Sequence, residues 1–322
     1  MIKLYPLKFS PILKSKIWGG EKLISKLGKQ SGLTNIGESW EISDVKGDVS
    51  IVSNGPLKGS NLKSLLGTYE SDFVGAKNFK QFGLEFPLLI KFIDAKTPLS
   101  IQLHPNDKLA AQRHNSFGKT EMWHVVQADS KADLIVGFNR PMTKEVYLKH
   151  LSEKTLPSIL NFEPVKEGDT FFIEVGRIHA IGAGVLLAEI QQTSDITYRV
   201  YDWDRVDENG NERELHNDLA IDAFNFELKN DYKVSYAKDK NRSNEMVSCS
   251  YFTTNYLKLD KPKTFINNKD SFVIYMCVEG KANIVAEDFS EELNMGETIL
   301  VPAGIKNYEI STQNATLLEV YV

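Results

Sequence analysis

The sequence predicts a mainly β protein made of two similar β-barrel or jelly-roll modules, with a few short helices inserted in the first module. Short runs rich in β-branched and aromatic residues recur between Gly, Pro, Asn and Asp. This pattern is typical of an all-β sandwich or barrel rather than of βαβ units. The 322 residues suit about two domains at ~150 residues each. A motif that occurs twice indicates that the two modules share one architecture.

The repeated motif comprises residues 168–179 (GDTFFIEVGRIH) and 296–307 (GETILVPAGIKN). Each copy has a Gly-acid turn, a short apolar strand, a second Gly turn and a return strand. The repeat also extends upstream, to the matching segments 131–136 and 281–285. The first copy ends on His179 and the second on Asn307. Because imidazole is a good ligand for transition metals and a carboxamide is a poor one, we expect the first copy alone to hold a metal.

The predicted strands fall into two groups along the chain. In the first group, the β-rich runs are 39–43, 87–92, 99–104, 122–128, 132–137, 170–175 and 184–191. In the second group, they are 252–259, 272–278, 282–286, 298–301 and 315–322. The two copies differ in spacing because the first carries an extra helical segment around residues 143–161.

Helical signals are few and lie in the first half. They cover residues 62–66, 106–113, 143–154 and 217–224. Thr143 is a good N-cap, and Val146, Leu148 and Leu151 are candidate buried positions of the helix that it opens. The polar segment 229–245 is the natural linker. We therefore expect a metal-binding catalytic domain over residues 1–228 and a degenerate copy over residues 229–322.

Composition limits the functions that the chain can have. The net charge is −5, with acids and bases interspersed, so no basic surface for nucleic acid is expected. The uninterrupted apolar runs are strand-sized, which predicts no membrane span. Cys249 and Cys277 are far apart and are expected to be free thiols. The N-terminus has no cleavable signal architecture, so we expect a cytoplasmic protein, as a monomer or a homodimer.

Three separate segments supply side chains suited to a metal. Gln102 and His104 lie two apart at the end of a predicted strand, so their side chains project from the same face. Pro105 ends this strand, and a helix returns the chain to a second strand that starts near Glu121. His179 of the repeated motif supplies another strong ligand. These four side chains suit a catalytic divalent ion, with Gln102 as the weakest ligand.

A second group of side chains suits an anionic substrate. Arg199 carries a planar, permanent charge that fits an enediolate or a phosphate, and the alternative is an ion pair with Asp202 or Asp204. Glu189 lies in an apolar strand, where it faces either a cavity or solvent.

Two lysines and a tryptophan extend this group. Lys91 is a cation in an otherwise apolar strand, and Lys119 stands two residues before Glu121. A buried lysine is costly without a partner, so each is expected either to be exposed or to serve an anion. Trp18, beside two glycines, either lines a sugar pocket or packs in the core.

Four dispersed motifs resemble type I mannose-6-phosphate isomerase, most closely its short bacterial form. In order, they are LSIQLHPND (99–107), GKTEMW (118–123), GRIHA (176–180) and the segment 194–199. The resemblance covers essentially the first 205 residues, and the C-terminal β-module fits as well. The family's aromatic-Asp-Trp-Gly near the N-terminus is Lys16-Ile17-Trp18-Gly19 here, so a role for an acid at that site does not carry over.

The resemblance implies cupin-type modules and one zinc ion per chain, although other divalent transition metals also suit the ligand set. It implies that mannose 6-phosphate and fructose 6-phosphate are interconverted, and that Arg199 is the active-site arginine. The implied ligands of zinc are Gln102, His104, Glu121 and His179. The residues that match the family's sugar-phosphate pocket are Glu189, Lys119, Lys91 and Ser100.

The expected chemistry is proton transfer between adjacent carbons through an enediolate, which the metal and Arg199 stabilise. Glu189 is the leading base, and Lys119 and a metal-bound water are the alternatives. Two other classes fit the same residues. One is a non-haem iron oxygenase, whose ligands are two histidines and a carboxylate. The other is a sugar-binding β-module without turnover.

Overall fold

The computed structural model describes residues 2–206 and 209–322. These residues form a mainly β protein with antiparallel sheets of six, five, seven and two strands, as the sequence predicts. We call residues up to 242 the first module, which contains three of these sheets, and residues 243–322 the second module, which contains the seven-stranded sheet.

The first module packs a six-stranded and a five-stranded sheet around the site. The order is β1-β2-β5-β12-β7-β10 in the larger sheet and β13-β6-β11-β8-β9 in the smaller, and β3 and β4 form a hairpin. The strands are β1 (Ile12–Gly20), β2 (Ile36–Ile42), β3 (Asp44–Val45), β4 (Asp48–Val49), β5 (Leu88–Ala95), β6 (Ile101–Leu103), β7 (Glu121–Ala128), β8 (Asp133–Phe138), β9 (Leu160–Pro164), β10 (Thr170–Ile173), β11 (His179–Ile181), β12 (Val185–Gln192) and β13 (Tyr198–Tyr201). The helices are α1 (Lys22–Ser25), α2 (Leu62–Val74), α3 (Ala76–Phe82), α4 (Asp107–His114), α5 (Lys144–Ser152), a 3₁₀ turn (Leu156–Ile159) and α6 (Asn217–Ala220).

The second module is one sheet with the path β14-β15-β20-β17-β18, to which β16 and β19 add by pairing with β20 and β17. Its strands are β14 (Ser243–Ser248), β15 (Thr253–Leu259), β16 (Lys263–Ile266), β17 (Val273–Ala286), β18 (Phe289–Asn294), β19 (Thr298–Val301) and β20 (Asn307–Tyr321). The two strands predicted over 272–278 and 282–286 are the continuous β17.

The repeated motif has the same backbone hydrogen bonds in both modules. Gly168 N donates to Val125 O at 2.9 Å, and Gly296 N donates to Cys277 O at 2.8 Å. Both glycines have a positive φ, +82° and +85°, which favours glycine at this turn. The strands that follow also pair in the same register, with Thr170 opposite His124 and Thr298 opposite Met276. Each residue of β7 therefore has a structural counterpart in β17.

A hydrophobic core joins the two modules. Leu7, near the N-terminus, exchanges two backbone hydrogen bonds of 2.8 Å with Leu300 of β19. The rings of Phe86 and Phe272 lie 4.8 Å apart between centroids, and both side chains are fully buried. Burial of these aromatic surfaces stabilises the contact between the modules.

The helices of the first module differ from the prediction in extent and in facing. Thr143 caps α5, because its side chain accepts a hydrogen bond from Val146 N. The prediction is wrong for Val146 and Leu148, which are 40% and 41% exposed, whereas Leu151 is partly buried against the core. Tyr147 is buried instead, packed with its ring 4.4 Å from that of Phe224.

The remaining helices also differ from the prediction, whereas the thiols do not. The short helix predicted over 62–66 extends to Val74, and α3 follows it without having been predicted. Both cysteines are free thiols, as predicted. Within the described residues, the helices are too short and too polar to cross a membrane.

Candidate functional site

Three predicted site residues stand side by side on the five-stranded sheet. In the pairing register, Gln102 of β6 lies opposite His179 of β11 on one side and opposite Arg199 of β13 on the other. Directly opposite residues of antiparallel strands project from the same face. The sheet therefore presents Arg199, Gln102 and His179 as one row.

A second row crosses the six-stranded sheet. Lys91 of β5 lies opposite Glu189 of β12 and opposite Trp40 of β2, and Glu189 also lies opposite Trp123 of β7. The two rows line a pocket of about 380 Å³ between the sheets. Glu121 is two residues before Trp123 on β7, so it shares the face that points into this space.

Three buried side chains form a candidate metal site beside the pocket. His104, Glu121 and His179 offer donor atoms that all lie within 4.8 Å of one another. Glu121 Oε2 is 3.5 Å from His104 Nε2, and Glu121 Oε1 is 3.5 Å from His179 Nε2. None of the three residues is more than 1% exposed. Across residues 2–206 and 209–322, no other group of His, Cys, Asp and Glu has this geometry.

Backbone carbonyls orient both imidazoles. His104 Nδ1 lies 2.8 Å from Ile196 O, and His179 Nδ1 lies 2.8 Å from Arg177 O. A carbonyl only accepts, so Nδ1 carries the proton in each ring and Nε2 is unprotonated. The two Nε2 atoms are the ones that face Glu121. Hydrogen bonding of the distal nitrogen is how proteins fix a metal-binding histidine.

The surroundings of the Glu121 carboxylate indicate whether a metal ion fits this site. Both of its oxygens are buried, with no hydrogen-bond donor at Oε1 and the Lys119 ammonium 2.9 Å from Oε2. Burial raises the pKa of Glu121 to about 7, with Lys119 opposing the shift. Burial likewise lowers the pKa of His179 to about 3, so its imidazole is neutral. A buried carboxylate with one oxygen lacking a donor, beside two neutral imidazoles, fits a divalent cation.

Gln102 lies at the edge of this cluster. Its Nε2 is 3.4 Å from His179 Nε2, and Ser100 Oγ donates to its Oε1 at 3.3 Å. Rotation of the amide by 180° exchanges its oxygen and nitrogen without moving the chain. Gln102, the predicted fourth ligand, is therefore in contact with His179.

Arg199 points into the pocket without a carboxylate partner among the described residues. Its Nη1 donates to Glu214 O at 2.8 Å and its Nε donates to Ser100 Oγ at 3.3 Å. The ion pair with Asp202 that sequence left open does not form, because Asp202 accepts two hydrogen bonds from Arg213 at 2.7 and 2.6 Å. Asp204 instead accepts from the hydroxyl of Tyr201.

Glu189 is buried in the pocket wall, at 3% exposure, and is not turned to solvent. Lys91 Nζ lies 3.1 Å from its Oε1, and Trp123 Nε1 donates to its Oε2 at 2.8 Å. Burial alone would raise the pKa of Glu189, but the charges of Lys91 and Lys119 together with the indole N–H lower it to about 2. The group is therefore a fixed anion at neutral pH.

The two lysines serve anions, as the cost of burying a lysine predicts. Lys91 is 5% exposed and pairs with Glu189. Lys119 is 4% exposed, pairs with Glu121, and also donates to His104 Nε2 at 3.0 Å.

Trp18 lines the pocket as well, at 4% exposure, so it combines the two possibilities that sequence left open.

Several pocket residues were not predicted from the sequence. They are Lys14, Lys16, Glu38, Trp40, Trp123 and Arg213. Lys14 and Lys91 place their Nζ atoms 4.9 and 5.1 Å from the centroid of the Trp40 ring. Trp40 Nε1 also donates to Glu38 at 2.7 Å. Glu38 and Trp40 lie two residues apart on β2, so the sequence could have indicated that they share a face. The position of Trp40 opposite Lys91 depends on the pairing of β2 with β5.

Comparison with known proteins gives consistent matches along the chain. A family described as phosphomannose isomerase type I, catalytic domain, matches residues 6–131. A second, described as mannose-6-phosphate isomerase, cupin domain, matches residues 242–322. The chain is 32% identical to mannose-6-phosphate isomerase ManA of Bacillus subtilis, over 95% of both chains. It is 31% identical to mannose-6-phosphate isomerase of Streptococcus mutans, over 94% of both chains.

A solved structure matches over the whole chain. The crystal structure of the mannose 6-phosphate isomerase from Bacillus subtilis superposes with a TM-score of 0.89 at 30% identity. The alignment covers 99% of this chain and 100% of that chain. The similarity therefore includes both modules and the way in which they pack.

Proposed function

This chain belongs to the type I mannose-6-phosphate isomerase family, and we propose that its pocket interconverts mannose 6-phosphate and fructose 6-phosphate. The observation that carries the proposal is the His104, Glu121 and His179 cluster beside a pocket into which Arg199 projects without a carboxylate partner. A metal site and a free guanidinium suit a substrate that becomes an enediolate and carries a phosphate.

The cofactor that we propose is one zinc ion per chain. His104, Glu121 and His179 would hold it, with Gln102 as a fourth ligand through its amide oxygen. Two imidazoles with carboxylate and amide oxygens form a mixed set that zinc accepts, as do other divalent transition metals. When bound, the ion would act as a Lewis acid that polarises the substrate oxygens.

We assign proton transfer to Glu189. In the direction from aldose to ketose, its carboxylate accepts the proton from C2 and returns it to C1, while the hydroxyl proton moves from O2 to O1. The isomerisation therefore needs no oxidant, reductant or other co-reactant. Lys91 and Trp123 hold the carboxylate in one position, which suits transfer between adjacent carbons. Lys119 is the alternative proton carrier, since it is buried beside the metal ligands.

Arg199 and its neighbours would bind the negative charge of the substrate. Its guanidinium keeps donors directed at the pocket after its contacts with Ser100 and Glu214 O, and a planar fork suits phosphate or enediolate oxygens. Trp18 and Lys91 would contact the sugar from the opposite sheet. The partner is thus a small sugar phosphate.

We keep the two-domain division at residues 228 and 229, with the second domain as a degenerate cupin-like copy. Residues 229–242 form isolated bridges to both modules, at Phe171 and at Lys258, before β14 begins at Ser243, which suits a linker. A cytoplasmic location and a monomeric or homodimeric state remain part of the proposal.

A coupled assay with mannose 6-phosphate tests the function directly. We expect turnover that a chelator abolishes and that zinc restores, with about one metal per chain by elemental analysis. Turnover that survives complete metal removal would contradict the metal assignment. An oxygen electrode provides the control for an iron oxygenase, and oxygen uptake during the reaction would overturn the isomerase assignment.

A further inference from the structure

The second module contacts the start of α4, next to the loop that contains Lys119 and leads to Glu121. Tyr251 stands in the connection between β14 and β15, at the end of the second module that faces the first. Its hydroxyl donates to Asp107 Oδ2 at 2.7 Å, across 144 residues of sequence. Asp107 is the first residue of α4, directly after the strand end that carries His104.

Asp107 in turn holds the backbone of this loop. Its other oxygen, Oδ1, accepts from Gly118 N at 2.8 Å and from Gln192 Nε2 at 2.9 Å. The oxygen of the same glutamine side chain accepts from Thr120 N at 2.9 Å. The backbone amides on both sides of Lys119 are therefore tied, directly or through Gln192, to the carboxylate that Tyr251 contacts.

The loop has little room to move in this arrangement. A Cβ on Gly118 would lie 2.7 Å from Asp107 N and 2.9 Å from Asn106 C, so only glycine permits this approach. Lys119 and Thr120 are each 4% exposed. A small rotation of Asp107 would thus move the residue whose ammonium contacts both His104 and Glu121.

We propose that the second module is a positioning element of the active site, and that Tyr251, acting through Asp107 and Gln192, sets the position of Lys119 and Glu121. Phenol, carboxylate and amide are linked in one chain, in which each group is oriented by the next. Burial and the neighbouring Asp107 raise the pKa of Tyr251 to about 12, so its hydroxyl stays a donor. The inference rests on the isomerase function proposed above.

The test compares two Tyr→Phe variants that each remove one hydroxyl. Tyr251→Phe removes the contact with Asp107, and Tyr236→Phe removes a donor to Gly168 O, away from the loop. We expect kcat for mannose 6-phosphate to fall about fivefold in Tyr251→Phe, with KM within about twofold of wild type, and to stay unchanged in Tyr236→Phe. A hydrogen bond to a charged group supports an effect of this size.

Amide hydrogen exchange gives a readout that does not depend on the reaction. The amides of Gly118 and Thr120 should exchange at least about fivefold faster in Tyr251→Phe and at the wild-type rate in Tyr236→Phe. Equal exchange and equal kcat in the two variants would overturn the proposal. A wild type inactive on mannose 6-phosphate would instead refute the proposed function, while the exchange result would still decide the coupling.

A double-mutant comparison distinguishes an effect of Tyr251 that acts through Asp107 from a general loss of stability. Adding Tyr251→Phe to Asp107→Ala should not lower kcat further, because the path is already broken. Multiplicative effects of the two changes would overturn the proposed path. In Asp107→Asn the amide still accepts from Gly118 N, so this variant should recover most of the kcat lost in Asp107→Ala.

Discussion

The two copies of the repeated motif have one backbone and different chemistry. By the shared register, Glu121 of β7 corresponds to Val273 of β17. His179 corresponds to Asn307, the matching end of the motif. Glu121 and His179 are buried in the candidate metal cluster, whereas Val273 lies in an apolar core and Asn307 is exposed. The difference teaches that the fold alone does not make a metal site, since the second copy keeps the backbone but not the ligands, with Ile266 where the first copy has Gln102.

The buried glutamate of the first copy, in contrast, has a counterpart in the second. Glu319 lies opposite Tyr275 and Asn255, as Glu189 lies opposite its two partners. Asn255 Nδ2 donates to its Oε2 at 2.7 Å, and the Tyr275 hydroxyl donates to its Oε1 at 3.2 Å. A glutamate at this place in the sheet is therefore part of the shared architecture.

What separates the two glutamates is the distance of the paired lysine, which is 3.1 Å from Lys91 Nζ to Glu189 Oε1 and 3.9 Å from Lys269 Nζ to Glu319 Oε1. Lys91 stands where the second copy has Asn255, so an ammonium replaces a neutral amide. The first copy also places its glutamate in the wall of a pocket that Lys119 lines, whereas Glu319 is 1% exposed beside Tyr275 and Asn255. The function proposed for Glu189 depends on this setting, and the second copy supplies matched controls.

The largest effect is expected when His179 of the first copy is replaced by asparagine, the residue at the matching position of the second copy. His179→Asn should lose the metal and lower kcat at least about 10³-fold, because a Lewis acid contributes several kcal/mol to such a transition state. Elemental analysis and the coupled assay measure the two losses. Asn307→Ala, at the exposed counterpart, should change neither. Full metal content with more than a tenth of the activity in His179→Asn would contradict the ligand assignment.

The next effect distinguishes the two glutamates. Glu189→Gln should lower kcat by about 10²-fold or more at full metal content, since a positioned base contributes ~10²–10⁴-fold. Glu319→Gln should leave kcat within about twofold and lower only the free energy of unfolding, by about 1–3 kcal/mol. If Glu189→Gln turned over near the wild-type rate, Glu189 would not be the base, and Lys119→Met would become the decisive variant.

A smaller effect is expected at the aromatic partners. Trp123→Phe removes the N–H that donates to Glu189 Oε2, and we expect kcat to fall about tenfold with little change in KM. Tyr275→Phe removes the corresponding donor in the second copy and should leave kcat unchanged. Kinetics at saturating substrate measure both. Equal losses in the two variants would mean that Trp123 acts only through stability.

Much of this comparison could be predicted from the sequence, because it depends on local pattern. The Gly-acid turn, the alternation at Gln102 and His104, and the change from His179 to Asn307 are all visible along the chain. The resemblance to a family then supplied the roles of residues such as Arg199. Both kinds of inference use residues that are close in sequence or aligned by motif.

The remaining features depend on which strands become neighbours. The correspondence of Glu121 with Val273 requires the pairing register, and the contact of Tyr251 with Asp107 crosses from one module to the other. The buried face of α5 was mispredicted for the same reason, since Tyr147 packs against Phe224 from a segment far along the chain. The residue pattern within one segment does not predict its contacts with a distant segment.

The smallest predicted effect is a pH dependence of stability that arises from Glu189. Its pKa of about 2 in the folded protein lies below the value of about 4.3 for an exposed glutamate, so the folded state binds fewer protons. The stabilisation is complete above about pH 4.3 and is lost as pH falls towards 2. In urea unfolding, the unfolding free energy of wild type minus that of Glu189→Gln should therefore be smaller at pH 3.5 than at pH 7, by on the order of 1 kcal/mol. An advantage that stayed constant or widened on acidification would mean that Lys91 and Trp123 do not hold Glu189 as a stabilised anion.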